Sequence, residues 1–231
     1  MTNKQAYFAE VIESSLDNFL AQCWQWDFFP EFGSLIQAQN EDILTLGVVT
    51  QIQTGSMDPM RYPFAYQKTE EELIEQQPQI FEFLKTTFKV QIIGFANSKK
   101  SPVRPACPSK SRFEAGRRLE EPKGHLEGYS EKNNFYYHLP SKPCKIHSFI
   151  KKADKELSSL FFSNPDFLHM LFGYSSQITN LDELLITILK NLKINNELTS
   201  SNLSNFCQTF SILTNNDYRR MKSFLCRIES L

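Results

Sequence analysis

No two cysteines in this chain are spaced CxxC, and no glycines are spaced as in a phosphate-binding loop. No GxSxG elbow occurs, and no apolar run approaches the roughly eighteen residues of a membrane-spanning helix. Each absence removes a class of protein: zinc ribbons and dithiol oxidoreductases, self-sufficient ATPases, hydrolases of the elbow type, and helical membrane proteins. Glycine is scarce, with 8 residues against 20 phenylalanines. Charge of one sign is lacking as well, since the formal net charge is −1. A global electrostatic footprint for nucleic acid is therefore absent, and only a local patch could serve that purpose.

What is present suits a globular protein. Hydrophobic residues make up 41% of the 231 residues and charged residues 22%, which argues against disorder. The abundant phenylalanine reads first as core filling and second as a partner surface. The five cysteines (Cys23, Cys107, Cys144, Cys207 and Cys226) are scattered and odd in number, as expected for reduced thiols. The opening MTNKQAYFAEVIESS has no signal-peptide core. The expectation is a cytoplasmic protein without a membrane segment.

Two regions differ in pattern. Before about residue 145, short β-branched runs alternate with turn signals: Tyr7 to Ser14, Ser34 to Ala38, Leu44 to Gln53, Thr87 to Phe95 and Phe135 to Leu139. Leu16 to Phe28 fits either a strand pair or an amphipathic turn. Thr69, followed by Glu70, Glu71 and Glu72, predicts a capped helix start, and Gln79 to Lys85 continues it. After residue 145, apolar residues recur at helical spacing. Lys151 to Phe162, the segment after Asn164-Pro165-Asp166, Leu181 to Leu192, Ser201 to Leu213 and Asp217 to Ile228 are the predicted helices. The fold class expected is α+β: a small closed β-barrel over residues 1–150, then an α-helical bundle over 151–231.

Residues 97–134 stand apart. They carry Lys99, Lys100, Arg104, Arg112, Arg117 and Arg118 among several prolines, with few aliphatic side chains. We read them as an insertion carried by a β-hairpin, tolerated at roughly 1–2 kcal/mol because loop-closure entropy grows only logarithmically. These six cations are the candidates for nucleic-acid contact, and Trp24, Trp26, Phe28 and Tyr136 could stack bases if exposed.

Catalytic chemistry is hard to assemble. The acidic runs Glu70–Glu72 and Glu120–Glu121 read as solvated faces. Cys144 and His147 make half a metal site with no second pair nearby. Arg219, Arg220, Lys222 and Arg227 read as a soluble face of the last helix. Asp58, before Pro59, reads as a turn stabiliser. Neither an enzyme nor a cofactor is expected.

Several pieces resemble a known module. The opening strand from Phe8, Phe32-Gly33-Ser34-Leu35-Ile36, Leu46-Gly47-Val48-Val49, and the turn Gly55-Ser56-Met57-Asp58-Pro59 are similar to a HAS-barrel, the domain shared by HerA-type ATPases and rotary ATP synthase subunits. Thr86 to Gly94, Tyr137-His138-Leu139-Pro140 and His147-Ser148-Phe149-Ile150 add to the likeness with stand-alone bacterial proteins of that class. The resemblance implies an assembly element, an accessory of a HerA-like DNA-translocating ATPase and nuclease system, able to form homo-oligomers. Gly47, Gly55, Asp58 and Pro59 are then the expected shape-setting residues. The alternative is a small-barrel module that binds nucleic acid directly.

Overall fold

In the computed structural model, residues 7–40, 43–58, 60, 63–97 and 135–229 are described. Six strands close into an antiparallel barrel: β1 (Ala9–Ser14), β2 (Asn18–Cys23), β3 (Leu35–Asn40), β4 (Ile43–Ser56), β5 (Leu84–Asn97) and β7 (Phe149–Lys152). Around the barrel the order is β1–β2–β5–β4–β3–β7 and back to β1. Closure leaves these strands no free edge, which removes the usual template for edge-to-edge aggregation. The two-residue β6 (Phe135–Tyr136) pairs only with the end of β5.

β4 and β5 are the longest strands and carry the closure. Their pairing shifts register at Leu46/Gly47 and again at Val49/Gln51. Such bulges bend and twist a strand enough to wrap a small barrel. One face of each fills the lumen, where Val49, Val90 and Ile92 meet Phe19, Phe88, Ile36 and Ile150. The other face points outward, yet Leu46, Val48 and Ile93 are fully buried there too, against the helices. Burial on both sides explains why the sequence here reads as near-continuous apolar runs rather than alternation. In β1 and β2 burial does alternate, because their outer face is not covered in the same way.

The helices follow from ordinary signals. Between β4 and β5 come α1 (Glu70–Gln76) and α2 (Gln79–Glu82). Thr69 closes a full capping box on α1: its Oγ1 accepts from the Glu72 amide at 3.3 Å, and its own amide donates to Glu72 Oε2 at 3.1 Å. After β7 come α3 (Lys155–Phe162), α4 (Phe167–Gly173), a 3₁₀ turn at Ser175–Gln177, α5 (Leu181–Ile194), α6 (Ser200–Leu213) and α7 (Tyr218–Glu229). α4 packs on β5, while α5 meets α7 and α6 meets both α4 and α7. Phe161, fully buried, joins the two halves: its ring lies against Phe135, Tyr137, Phe162 and Phe167, and beside Gly94 of β5. Barrel exterior and helices thus share one hydrophobic core.

Two local expectations are corrected. Residues Lys151 and Lys152 belong to β7, so the helix predicted from Lys151 begins at Lys155. The pairing of β7 with β1 and β3, which closes the barrel, outweighs the local helical pattern. Phe135 to Leu139, predicted as the last strand, is β only at its first two residues and is followed by β7.

Candidate functional site

The outer face of β1, β2 and β7 carries the most distinctive surface chemistry among the described residues. Trp24 directly follows β2 and is 48% exposed; Phe149 opens β7 and is 44% exposed. Their rings meet edge to face at 5.7 Å, and Tyr7 lies against Phe149 at 5.6 Å. Exposed aromatic rings in mutual contact are a feature of interaction surfaces.

Glu10 organises this patch. Its neighbours in β1, Ala9 and Val11, are fully buried, so strand alternation turns the Glu10 side chain outward. Oε1 accepts a hydrogen bond from Trp24 Nε1 at 3.0 Å, and Oε2 stands 3.2 Å from His147 Nδ1. His147 reaches that position through a left-handed backbone (φ 65), with its amide donating to the Val11 carbonyl at 2.9 Å. A carboxylate holding an indole and an imidazole pre-orders the aromatic surface, which lowers the entropy lost when a partner docks.

The sequence candidates land in several places. Trp24 and Phe28 are exposed, Phe28 to 61% with its ring edge against Phe8. Trp26 stacks on Phe81 of α2 at 5.5 Å, and Tyr136 stacks on Phe95 at 5.1 Å, so both rings already have partners. Gly47 sits inside β4 at the first register shift. A Cβ there would stand 2.5 Å from Val90 Cγ1 and 2.6 Å from the Gln91 carbonyl oxygen, so close approach of strands demands glycine. Gly55 also lies within β4, opposite Lys85, and a Cβ would meet nothing. Asp58 accepts from the Met60 amide at 2.9 Å, a local turn bond. Pro59 lies outside the described residues, as do Lys99, Lys100, Arg104, Arg112, Arg117 and Arg118.

Cys144 and His147 diverge. Cys144 packs in the lumen cluster at 3% exposure, and burial pushes its thiol pKa up, while His147 stays at the surface. Among the described residues no group of three metal-ligating side chains comes together. In the basic stripe of α7, Arg220 and Arg227 engage Asp182 and Glu183 of α5.

Sequence reasoning missed Tyr7, Glu10 and Phe149 as surface residues. The alternation of β1 was a usable signal for Glu10. The juxtaposition with His147 and Phe149 at β7 was not, because residues about 140 positions apart meet only through barrel closure. A scan of protein-family models and a search of curated proteins both find no match to this chain.

Proposed function

We propose that the protein is a non-catalytic docking or assembly module that receives its partner on the aromatic face of β1, β2 and β7. The observation that carries this reading is the Tyr7–Trp24–Phe149 patch, in which Trp24 and Phe149 are exposed, with Trp24 held by Glu10 and Glu10 beside His147. The resemblance to the HAS-barrel supports a HerA-like DNA-translocating ATPase or its nuclease as that partner. On this reading the protein works in the cytoplasm, α3 to α7 act as a helical bundle bracing the barrel, and self-association around a motor ring is expected.

Affinity purification of the tagged chain from its native cell, with mass spectrometry, tests the proposal. Wild-type protein should recover the ATPase or nuclease, and a Trp24→Ser/Phe149→Ser double variant of unchanged thermal stability should lose it. A lone monomer that recovers neither overturns the motor assignment. The exposed rings of Trp24 and Phe28 also fit the second reading, direct nucleic-acid binding. Tight single-strand binding that weakens steeply with salt would select that reading instead.

A further inference from the structure

An open groove of about 450 Å³ lies where the C-terminal end of α1 and all of α2 meet the ends of β4 and β5. Met60 and Phe64 line it at 89% and 68% exposure, and Phe83 is exposed beside them. Phe64 and Tyr66, both in the lining, pack ring against ring at 4.3 Å with their planes 35° apart. The base of the groove is tied closed. The Met57 amide donates to the Phe83 carbonyl at 2.7 Å, and Asp58 Oδ1 accepts from the Met60 amide at 2.9 Å. Aromatic and methionine surface is thus held in place without being buried, as at sites that receive a partner.

The charge around this groove is of one sign. From Met57 to Phe83 the sequence holds six carboxylates (Asp58, Glu70, Glu71, Glu72, Glu75 and Glu82) against two cations, Arg61 and Lys68. Glu82 directly precedes Phe83, and Glu75 is two residues from the lining Gln77, at most about 7 Å between Cα atoms. Among the described residues Glu70, Glu71, Glu75 and Glu82 form no ion pair. Lys68 is taken up by the Gln76 side chain. Strand alternation turns Lys85 away from the face on which Leu84 lines the groove. The last turn of α1 holds no basic residue, so its negative end is unanswered there. Charge complementarity therefore calls for a cationic occupant.

We propose that the groove receives an extended, proline-rich segment of a partner protein that carries lysine or arginine between its prolines. A polyproline helix has no internal hydrogen bonds, so its carbonyls are free to accept. The side-chain amides of Gln77 and Gln79 line the groove, make no hydrogen bond among the described residues, and donate to those carbonyls. Proline rings lie on Phe64, Tyr66 and Phe83, the arrangement that suits an aromatic-lined groove. The flanking glutamates take the cationic side chains and steer the segment in. The groove shares no lining residue with the Tyr7–Trp24–Phe149 patch, so this proposal stands whether or not that patch docks a motor protein.

Synthetic peptides titrated into the full ¹⁵N-labelled chain supply the test, read by backbone amide shifts. The basic proline peptide APPRPPKPA should give saturable shifts at Tyr66, Gln77 and Phe83 with a Kd of about 0.5 mM or tighter. Its acidic counterpart APPEPPEPA and the proline-free AAARAAKAA should each bind about tenfold more weakly or worse. Phe64→Ser and Glu75→Lys, both at exposed positions, should keep the fold by circular dichroism. Phe64→Ser should weaken the basic proline peptide about tenfold and Glu75→Lys about threefold. Absence of saturation by about 5 mM overturns the proposal, as does undiminished binding by Phe64→Ser. Equal affinity for APPEPPEPA overturns the cationic occupant, and equal affinity for AAARAAKAA overturns the proline-rich one. Shifts confined to Tyr7, Trp24 and Phe149 would place the peptide on the aromatic patch and overturn the groove.

Discussion

Arg220 and Asp182 form a two-point ion pair between α7 and α5. Nε donates to Oδ2 at 3.1 Å and a terminal guanidinium nitrogen donates to Oδ1 at 2.6 Å. The same guanidinium lies 5.6 Å from the Phe172 ring centre and 5.7 Å from that of Phe210. The bond to Asp182 is the main cause of an Arg220 pKa raised further above its ordinary value, which keeps the charge fixed. Carboxylate and ring faces together select arginine over lysine.

Arg220→Lys should therefore destabilise the protein although the charge is kept, by about 1 kcal/mol, and Arg220→Ala by about 1–2 kcal/mol. Both side chains are about one-third exposed, which holds the effect below that of a fully buried pair. Urea denaturation measures both; an unchanged midpoint in Arg220→Ala would show that α7 docks through its apolar face alone.

Gly47 and Gly55 should behave oppositely. Gly47→Val forces a Cβ into Val90 and the Gln91 carbonyl, so a loss of more than about 2 kcal/mol is expected. Gly55→Val meets open space in a strand, where β-branched residues are favoured, and should stay within about 0.5 kcal/mol of wild type. Thermal melts of the two variants decide the matter, and equal destabilisation would refute the geometry at β4.

Residues 97–134 connect the paired ends of a hairpin, with Ala96 opposite Phe135 and Phe95 opposite Tyr136. Replacing them by a two-residue Asn-Gly turn should leave the barrel and the helices folded, with stability equal or slightly higher because a shorter connection costs less entropy to close. Loss of the cooperative melt in this deletion would mean that the segment contributes to the core.

Alkaline pH should weaken the fold. Burial raises the Cys23 thiol from 9.0 to about 12 and, with a smaller contribution from Asp166, the Tyr137 hydroxyl from 10.0 to about 12. Above about pH 9 the unfolded chain releases protons that the folded chain still holds, so stability is complete below that pH and declines toward pH 12. Denaturation series between these limits should show the decline, shallower in Cys23→Ala. Peptide-level alkylation near neutral pH should label exposed Cys226 well before Cys23 and Cys144. Rapid labelling of Cys23 in the folded protein would contradict its place in the lumen.

Much of the architecture was legible from local pattern. Leu181, Leu184, Leu185, Ile188 and Leu192 repeat at helical spacing, and all five are buried in α5. Thr69 ahead of three glutamates announced the capped start of α1, and the β-branched runs located β4 and β5 to within a few residues. These features depend on neighbours within a turn or a strand pleat, so the sequence alone determined them. Tertiary structure decided the rest. Four residues, Phe149–Lys152, are too few to show a period, and they became a strand because the barrel needed one between β1 and β3. Gly47 is required by Val90 and Gln91 across the sheet, not by a turn of its own chain. Glu10 and Trp24 meet across the β1–β2 hairpin, and His147 and Phe149 join them only because closing the barrel brings a distant segment beside β1. Contacts of that range carry no signature in local spacing, since any of these residues would read the same in a strand whose neighbours were different.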